Sequence, residues 1–473
     1  MLINMLKFKL PSVYTILFLL TVLIAALTWV VPAGQYEMAN NALLGKLVPI
    51  SGTYHQVESS PQGLKDVLLA PIKGFYDPES NQSRAIDVAL FVLIIGGFFG
   101  VVNHTKSIDS AIYQITVKLQ GREIWLIPTL MGLFALGGTL IGMAEETLPF
   151  YTLVIPVMIA AGYDSITGVA VVMIGAGIGA LGSTINPFAT IIASNAAEVS
   201  FTDGLGLRIA ILVLAWLLCV VYVMKYAQKV KSNPAHSIVA AQQDDDKKYF
   251  LHNSAASNNM ALSFQQKLVL SVLLLTFIAM VIGVSYLDWW MAEISALFIA
   301  ATLVVGVMAR MTEQTITATF VEGARELLGV AFIIALARGL VVVMDEGNIT
   351  HTFLHYAEGF LSDLSPIVFI NTIYWVESFL SLLIPSSSGL AVLSMPVMAP
   401  LADFSNVPRE LVVTAYQAAS GLPNLVTPTS AIVMGGLAIG RVSYSHWLKF
   451  ILPLLAMIVL LVMAMLSIGV LLS

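Results

Sequence analysis

Little in this chain is charged, and cysteine is almost absent. Cys219 is its one cysteine, which excludes a disulfide framework and a cysteine-ligated metal centre. Asp, Glu, Lys and Arg make up 11% of the 473 residues, whereas a soluble domain carries about 25%. A water-soluble globular fold is therefore excluded. Neither H-E-x-x-H nor G-x-S-x-G occurs, and His104 has no partner at metal-ligand spacing, so the common hydrolase signatures are missing. No basic patch interleaved with aromatics suggests nucleic acid as a partner. No nucleotide-binding domain is encoded, so an ATP-driven pump would need a separate subunit.

Apolar residues are abundant: 58% of the chain is hydrophobic and the mean hydropathy is +0.88. Runs such as Val13 to Val31 and His446 to Ser473 approach the ~20 apolar residues that cross a bilayer. Hydropathy places spans near 11–33, 85–103, 166–198, 207–228, 267–287, 291–309, 327–345, 409–440 and 447–471. The first run, flanked by Lys7, Lys9 and Pro32-Ala-Gly34, invites a signal-peptide reading. It exceeds the ~7–15 residues of a signal h-region, and the topology needs it as a retained span. Stretches 124–162 and 366–402 carry a polar or proline-rich break at mid-length and read as re-entrant helical hairpins. Non-helical backbone at membrane depth is tolerated only against protein or a watery cavity.

The breaks recur in matched order about 240 residues apart. Met143-Ala-Glu-Glu-Thr-Leu-Pro149, Ile155-Pro156-Val157-Met158 and Gly182-Ser-Thr-Ile-Asn-Pro-Phe-Ala-Thr190 form the first set. Ile384-Pro-Ser-Ser-Ser-Gly389, Met395-Pro396-Val397-Met398 and Pro423-Asn-Leu-Val-Thr-Pro-Thr-Ser430 form the second. Paired interrupted segments in two halves are the pattern of a secondary transporter's binding site.

With the N-terminus in the cytoplasm, Lys46, Lys65, Lys73, Arg84, Arg208 and Arg409 lie outside, Arg338 lies within a span, and every other Lys and Arg lies inside. That is the positive-inside bias. Segments 85–198 and 327–440 then run in opposite senses, as inverted repeats do. The expected organisation is a first repeat over 1–228 (hairpin 124–162, broken helix 166–198), a cytoplasmic linker over 229–266, and a second repeat over 267–473 (hairpin 366–402, broken helix 409–440). The polar stretch Lys229 to Asn259 reads as solvated, and 105–121, 312–326 and 349–363 as interfacial helices.

Breaking an apolar helix frees carbonyls and amides, and neighbouring hydroxyls and amides complete a solute shell. On that ground Glu145, Glu146, Thr147, Ser183, Thr184, Asn186, Pro187 and Thr190 are candidate substrate-binding residues in the first half. Ser386, Ser387, Ser388, Asn424, Thr427 and Thr429 are their counterparts in the second. A sodium ion would sit near Gly182, Asn186, Ser386, Asn424 and Thr427. Carboxylates at membrane depth usually mark ion or proton pathways, and Glu146 falls opposite Ser386, so the acid belongs to one half only. The alternative is a tip that reaches the cytoplasmic side, where the pair is merely solvated. Arg338 suits either a substrate carboxylate or an ion pair with a residue such as Glu377. Gly96-Gly97 and the glycines of 175–179 lie in apolar helices, where close packing explains them better than nucleotide binding.

Phe8-Lys-Leu-Pro-Ser-Val-Tyr-Thr15, Val31-Pro-Ala-Gly-Gln-Tyr36, Met143-Ala-Glu-Glu-Thr147 and Gly182-Ser-Thr-Ile-Asn-Pro187 resemble the YfcC branch of the C4-dicarboxylate anaerobic carrier (DcuC) family, within the ion transporter superfamily. The resemblance covers nearly the whole chain. It implies an all-α polytopic membrane protein with a scaffold and a moving transport domain. It also implies an elevator-type homodimer in the bacterial inner membrane, taking a small solute without a cofactor, with Na+ or H+ as coupling ion. Related dicarboxylate carriers have Ser-Asn-Thr at each hairpin tip; here the first tip is Glu145-Glu146-Thr147 and the second Ser386-Ser387-Ser388. Acids at the first tip disfavour a dianion. They suit an amino acid, a basic one of the arginine/ornithine kind, moved by exchange or with H+ or Na+. The competing substrate is a C4-dicarboxylate or similar organic anion, with Glu146 protonated or coordinating sodium. A membrane-embedded enzyme or a channel fits the matched half-breaks less well.

Overall fold

The structure is a computed structural model that describes residues 12–41, 46–78, 80, 83–108, 110–111, 114, 122–251, 262–287, 289–361, 364–384 and 386–473. Lys7, Lys9, the start of the Phe8 motif, most of the 105–121 segment, residues 252–261 of the linker and Pro385 lie outside the described residues.

The chain is helical nearly throughout. Its helices are α1 (Val13–Leu27), α2 (Leu64–Phe75), α3 (Ile86–His104), α4 (Leu126–Ile141), α5 (Leu148–Ala160), α6 (Ser165–Leu181), α7 (Ile192–Ala196), α8 (Leu205–Ser232), α9 (Gln243–Phe250), α10 (Phe264–Tyr286), α11 (Met291–Met308), α12 (Glu313–Glu326), α13 (Leu328–Glu346), α14 (Thr350–Leu361), α15 (Pro366–Leu383), α16 (Ser387–Phe404), α17 (Arg409–Gly421), α18 (Ala431–Ile439) and α19 (Tyr444–Leu472). Side-chain caps start several of them. Ser12 accepts from the Thr15 amide, Asp164 from the Thr167 amide, and Ser263 exchanges bonds with Gln266. Among the described residues eight helices are long and apolar enough to cross a membrane. The outer faces of α8 and α19 expose Leu214, Leu217, Val221, Leu452, Leu460 and Leu471, an apolar surface suited to lipid.

One correction concerns the all-α expectation. Residues 34–56 form β1 (Gly34–Gln35), β2 (Met38–Asn41), β3 (Lys46–Pro49) and β4 (His55–Gln56), paired β1–β4 and β2–β3, both antiparallel. Strands this short do not hold themselves together. Tertiary bonds to α14 hold them: the Tyr36 hydroxyl and Ser51 Oγ donate to Glu358, the Tyr36 amide donates to His351 Nδ1, and Tyr54 stacks on His355 at 4.0 Å between ring centroids.

The polar stretch after α8 differs from a freely solvated linker where it is described. Asp246 on α9 is 3% exposed and accepts a 2.9 Å bond from Ser165. Burial holds its carboxyl above the usual carboxylate range, with the Ser165 bond opposing. Tyr249 donates to Glu326 on α12 at 2.9 Å while the Arg441 guanidinium lies 4.5 Å from its ring centroid. Helix α9 therefore straps α12 to the turn after α18.

Two packing schemes repeat. Helices α1 and α2 pack on α13, and α11 and α12 pack on α3. Glycines set both crossings. A Cβ on Gly74 would lie 2.1 Å from the Ala335 carbonyl, and one on Gly323 would lie 2.2 Å from the Gly96 carbonyl. Similarly, α4 packs on α6 and α15 on α17. The chain doubles back after each leading arm. Phe134 and Phe150 touch at 5.3 Å between ring centroids across the first reversal, and Ser394 bonds Glu377 at 3.2 Å across the second. Buried apolar residues sort into a large cluster spanning these reversals, α6, α17, α8, α19 and the first half of α13, a smaller one from α3, α10 and α11 around Phe91, Phe98, Met280 and Phe298, and a third from α1, α2 and the second half of α13 around Ile24, Val67 and Met344.

Candidate functional site

Helix α6 stops at Gly182, and the chain resumes only through a wide turn over Pro187–Ile191 before α7. The freed groups are taken up from two sides. Thr139 of α4 accepts from the Thr184 amide at 3.0 Å and donates to the Gly182 carbonyl at 3.3 Å. Ser183 Oγ and Thr190 Oγ1 are 2.8 Å apart, and Thr190 donates to Gln417 Oε1. Gln417 Nε2 in turn donates to the Ser183 carbonyl at 2.7 Å. Asn186 caps the turn by accepting from the Ala189 amide at 3.3 Å.

The second break is built differently. Helix α17 ends at Gly421, and Pro423–Leu425 form one 3-10 turn. Thr427 and Thr429 hydroxyls lie 2.7 Å apart, and Asn424 Nδ2 points back to the Ser420 carbonyl at 3.3 Å. Tyr444 and Trp447 of α19 donate to the Val426 and Leu425 carbonyls at 2.7 and 2.8 Å. The two broken helices meet where a Cβ on Gly421 would lie 2.7 Å from Leu181 Cα, and Leu425 fills the space beside Gly177.

The first hairpin turns through Gly142, whose φ of +66° favours glycine and whose missing Cβ leaves room for Asn186 Oδ1. A 3-10 turn over Glu145–Thr147 follows. Glu146, 4% exposed, accepts from the Ala144 amide at 2.9 Å, and Thr147 donates to the Ala144 carbonyl at 2.7 Å. This tip packs against α6 and, from the other half, α18. At the second tip Ser386 caps α16 by accepting from Gly389, and the Ser387 carbonyl accepts from Tyr416; Ser388 is half-buried. Helix α16 packs on the Pro187–Ile191 turn and α7. Each tip-bearing arm thus reaches the broken helix of the opposite half, while no hydrogen bond joins the two tips among the described residues.

Arg338 makes no ion pair with Glu377, whose Oε2 accepts from Ser394 instead. Its electrostatic neighbours are Asp345, Arg84 and Asp87. Asp87, in the first turn of α3, is also within electrostatic reach of Glu145. The structure therefore links four carboxylates (Glu145, Glu146, Asp87, Asp345) and two guanidiniums (Arg338, Arg84) between α3, α13 and the first hairpin. Sequence reasoning missed Asp87 and Gln417. Both were visible as polar residues in apolar stretches, but neither sits in a proline-marked break. A cavity of about 640 Å³ lies between α3, α12, α5, α9 and the end of α18, lined by Asn103, His104, Thr152, Thr319, Glu322 and Tyr249 among others.

The family described as C4-dicarboxylate anaerobic carrier, DcuC, matches residues 10–471. An uncharacterized protein of Haemophilus influenzae is 33% identical over 493 aligned positions, covering 96% of this chain and 95% of its own. The putative basic amino acid antiporter YfcC of Escherichia coli is 33% identical over 341 positions, covering 70% of this chain and 67% of its own. Among solved structures, Neisseria gonorrhoeae MtrF, placed in a class of antimetabolite efflux pumps, aligns over 98% of this chain and 96% of its own at 15% identity with a TM-score of 0.42. The Alcanivorax borkumensis YdaH transporter aligns over 97% and 98% at 14% identity with a TM-score of 0.40.

Proposed function

The chain belongs to the C4-dicarboxylate anaerobic carrier family, a family of transporters rather than enzymes, and from that premise we propose that this secondary transporter moves a basic amino acid of the arginine/ornithine kind. Movement is by exchange or coupled to H+ or Na+, without a cofactor. The observation that carries the substrate class is the grouping of Glu145, Glu146 and Asp87 with Arg338. With Asp345 and Arg84 counted, four acids against two bases leave an excess of negative charge for a side-chain cation. The Arg338 guanidinium, with hydroxyls of Thr147 and Ser386–Ser388, serves the α-carboxylate. The relative YfcC of Escherichia coli, a putative basic amino acid antiporter, points the same way.

In this proposal the chain is two inverted repeats. The matched crossings of α2 on α13 and α12 on α3, and of each leading arm on its broken helix, support that arrangement. Helices α3 and α10–α13 form the scaffold, and the hairpins with the broken helices form a body that moves in an elevator-type stroke. The separate apolar cluster of α3, α10 and α11 supports this division for those three helices. The N-terminus and α9 are cytoplasmic in the bacterial inner membrane, so the cavity beside α9 is an inward vestibule. The working unit is a homodimer. Asn186, Thr427 and the carbonyl of Gly182 supply oxygens suited to a sodium ion, with Ser386 and Asn424 nearby in the cycle.

The family's name favours a second reading, a C4-dicarboxylate carrier in which Glu146 is protonated or holds sodium. Counterflow in proteoliposomes with arginine, ornithine, aspartate and succinate separates them. Acceleration by arginine and ornithine is expected; acceleration by succinate alone overturns the basic amino acid assignment.

A further inference from the structure

Glu377 lies at the centre of α15, away from both proline-marked breaks, and is fully buried. Its Oε2 accepts a 3.2 Å bond from Ser394 on α16, and its Oε1 has no hydrogen-bond partner. No cationic side chain is bonded to it among the described residues. The titratable neighbours are Tyr416 on α17, within electrostatic reach, and Tyr374 one turn back on the same helix, whose hydroxyl is likewise unpartnered. On α19, the contact to α15 is the neutral pair Asn371 and Ser467. An ionised carboxylate at membrane depth without a partner costs several kcal/mol, and such residues mark proton relays. A hard cation takes about six oxygens, whereas Oε1 has no hydrogen-bonded group beside it to complete such a shell.

Tyr416 lies between this carboxyl and the second tip. It donates to the Ser387 carbonyl at the start of α16, and Ser394, the one donor to Glu377, lies two turns along that same helix. Any shift of α16 that opens the second tip also removes the Ser394 bond and admits water beside Oε1.

We propose that Glu377 binds and releases the proton coupled to solute movement. With α16 closed over it the side chain is a carboxylic acid. When α16 shifts, the O–H bond breaks, the proton passes to water, and the carboxylate is left facing the opened space. Reclosure requires a proton to be taken back. This inference rests on the secondary-transporter reading and specifies its coupling ion. In the first half the position matched to Glu377 is Gly137, so the relay exists in one repeat only.

Two measurements on the full-length protein in proteoliposomes test it. Infrared difference spectra across a pH titration should contain a protonated-carboxyl C=O band that disappears in Glu377→Gln and returns shifted in Glu377→Asp. This readout needs no substrate, so it stands whether or not arginine is the solute. In transport, arginine accumulation driven by a pH gradient should fall roughly tenfold or more in Glu377→Gln, while accumulation in Glu377→Asp recovers in part. An unchanged infrared band, or undiminished pH-driven accumulation in Glu377→Gln, overturns the proposal. Absence of arginine counterflow in the unaltered protein overturns the substrate assignment instead and leaves the infrared result to decide Glu377.

Discussion

Two side chains dominate at the scale of single residues. Glu146 is buried on an acid-bearing tip and accepts from the Ala144 amide; in the proposed binding mode its carboxylate is ionised against the solute's cation. Glu146→Gln keeps the shape and removes the charge. Truncating one partner of a buried charge pair costs about 2–5 kcal/mol, so arginine uptake should fall roughly 30-fold or more while gel-filtration behaviour stays unchanged. Wild-type uptake would remove Glu146 from the site. Gln417 is a different kind of residue. Its amide spans the gap between the two broken helices, satisfying the Ser183 carbonyl and the Thr190 hydroxyl at once. Gln417→Leu leaves the Ser183 carbonyl unpaired in the interior, at about 1–3 kcal/mol, and leaves the Thr190 hydroxyl with Ser183 Oγ alone. A lower melting temperature in detergent is expected, and an unchanged one would show that water or repacking replaces the amide. Glu146 was legible in the sequence because an acid inside an apolar run is conspicuous. Gln417 was not, because one amide between Tyr416 and Ala418 resembles any polar residue on a helix, and its partners are over 200 residues away.

At the scale of elements, the breaks were readable and the strand cover on α14 was not. Prolines and glycines at 182–187 and 421–428 stop helices by removing donors and admitting turn geometry, a local effect that sequence reports directly. Strands β1–β4 depend on distant bonds to α14, which no local pattern announces. The same distance explains why α9 was expected to be solvated: its Asp-rich sequence is polar, yet Ser165 and Arg441 supply partners. The strand cover makes a pH prediction. His351 accepts from the Tyr36 amide, and burial pushes its imidazole below the usual value of 6.5, with Asp345 opposing. The neutral ring is the form the fold favours. A histidine depressed in the folded state contributes stability that is present above the unfolded value and lost as pH falls through the folded one. Acidification below about 6.5 should therefore loosen residues 34–56 from α14. Amide protection factors of that segment, with the base-catalysed intrinsic rate divided out, measure this at pH 5 against pH 7.5: lower protection at pH 5 is expected in the native chain and equal protection at both in His351→Gln. Equal pH dependence in both proteins would assign the effect to another group.

For the molecule as a whole, everything proposed about mechanism hangs on which side of the membrane each end of the cavity faces. The charge bias places α9 and the turn before α12 inside, and the strand segment and α2 outside. The strands and the α9 strap sit on different helices, β1 against α14 and α9 against the start of α6. A single substitution makes the test clean, because Cys219 is the lone cysteine and is fully buried. In a Cys219→Ser background, His55→Cys and Lys65→Cys, both at exposed positions, should react with a membrane-impermeant maleimide in intact cells. Asn233→Cys and Gln265→Cys, also exposed, should react only after permeabilisation. The reverse pattern would turn the cavity beside α9 outward and make the structure an outward-open state. Labelling of all four in intact cells would break the inverted arrangement itself, since no membrane path through α3 to α8 could then leave residues 55 and 233 on opposite sides.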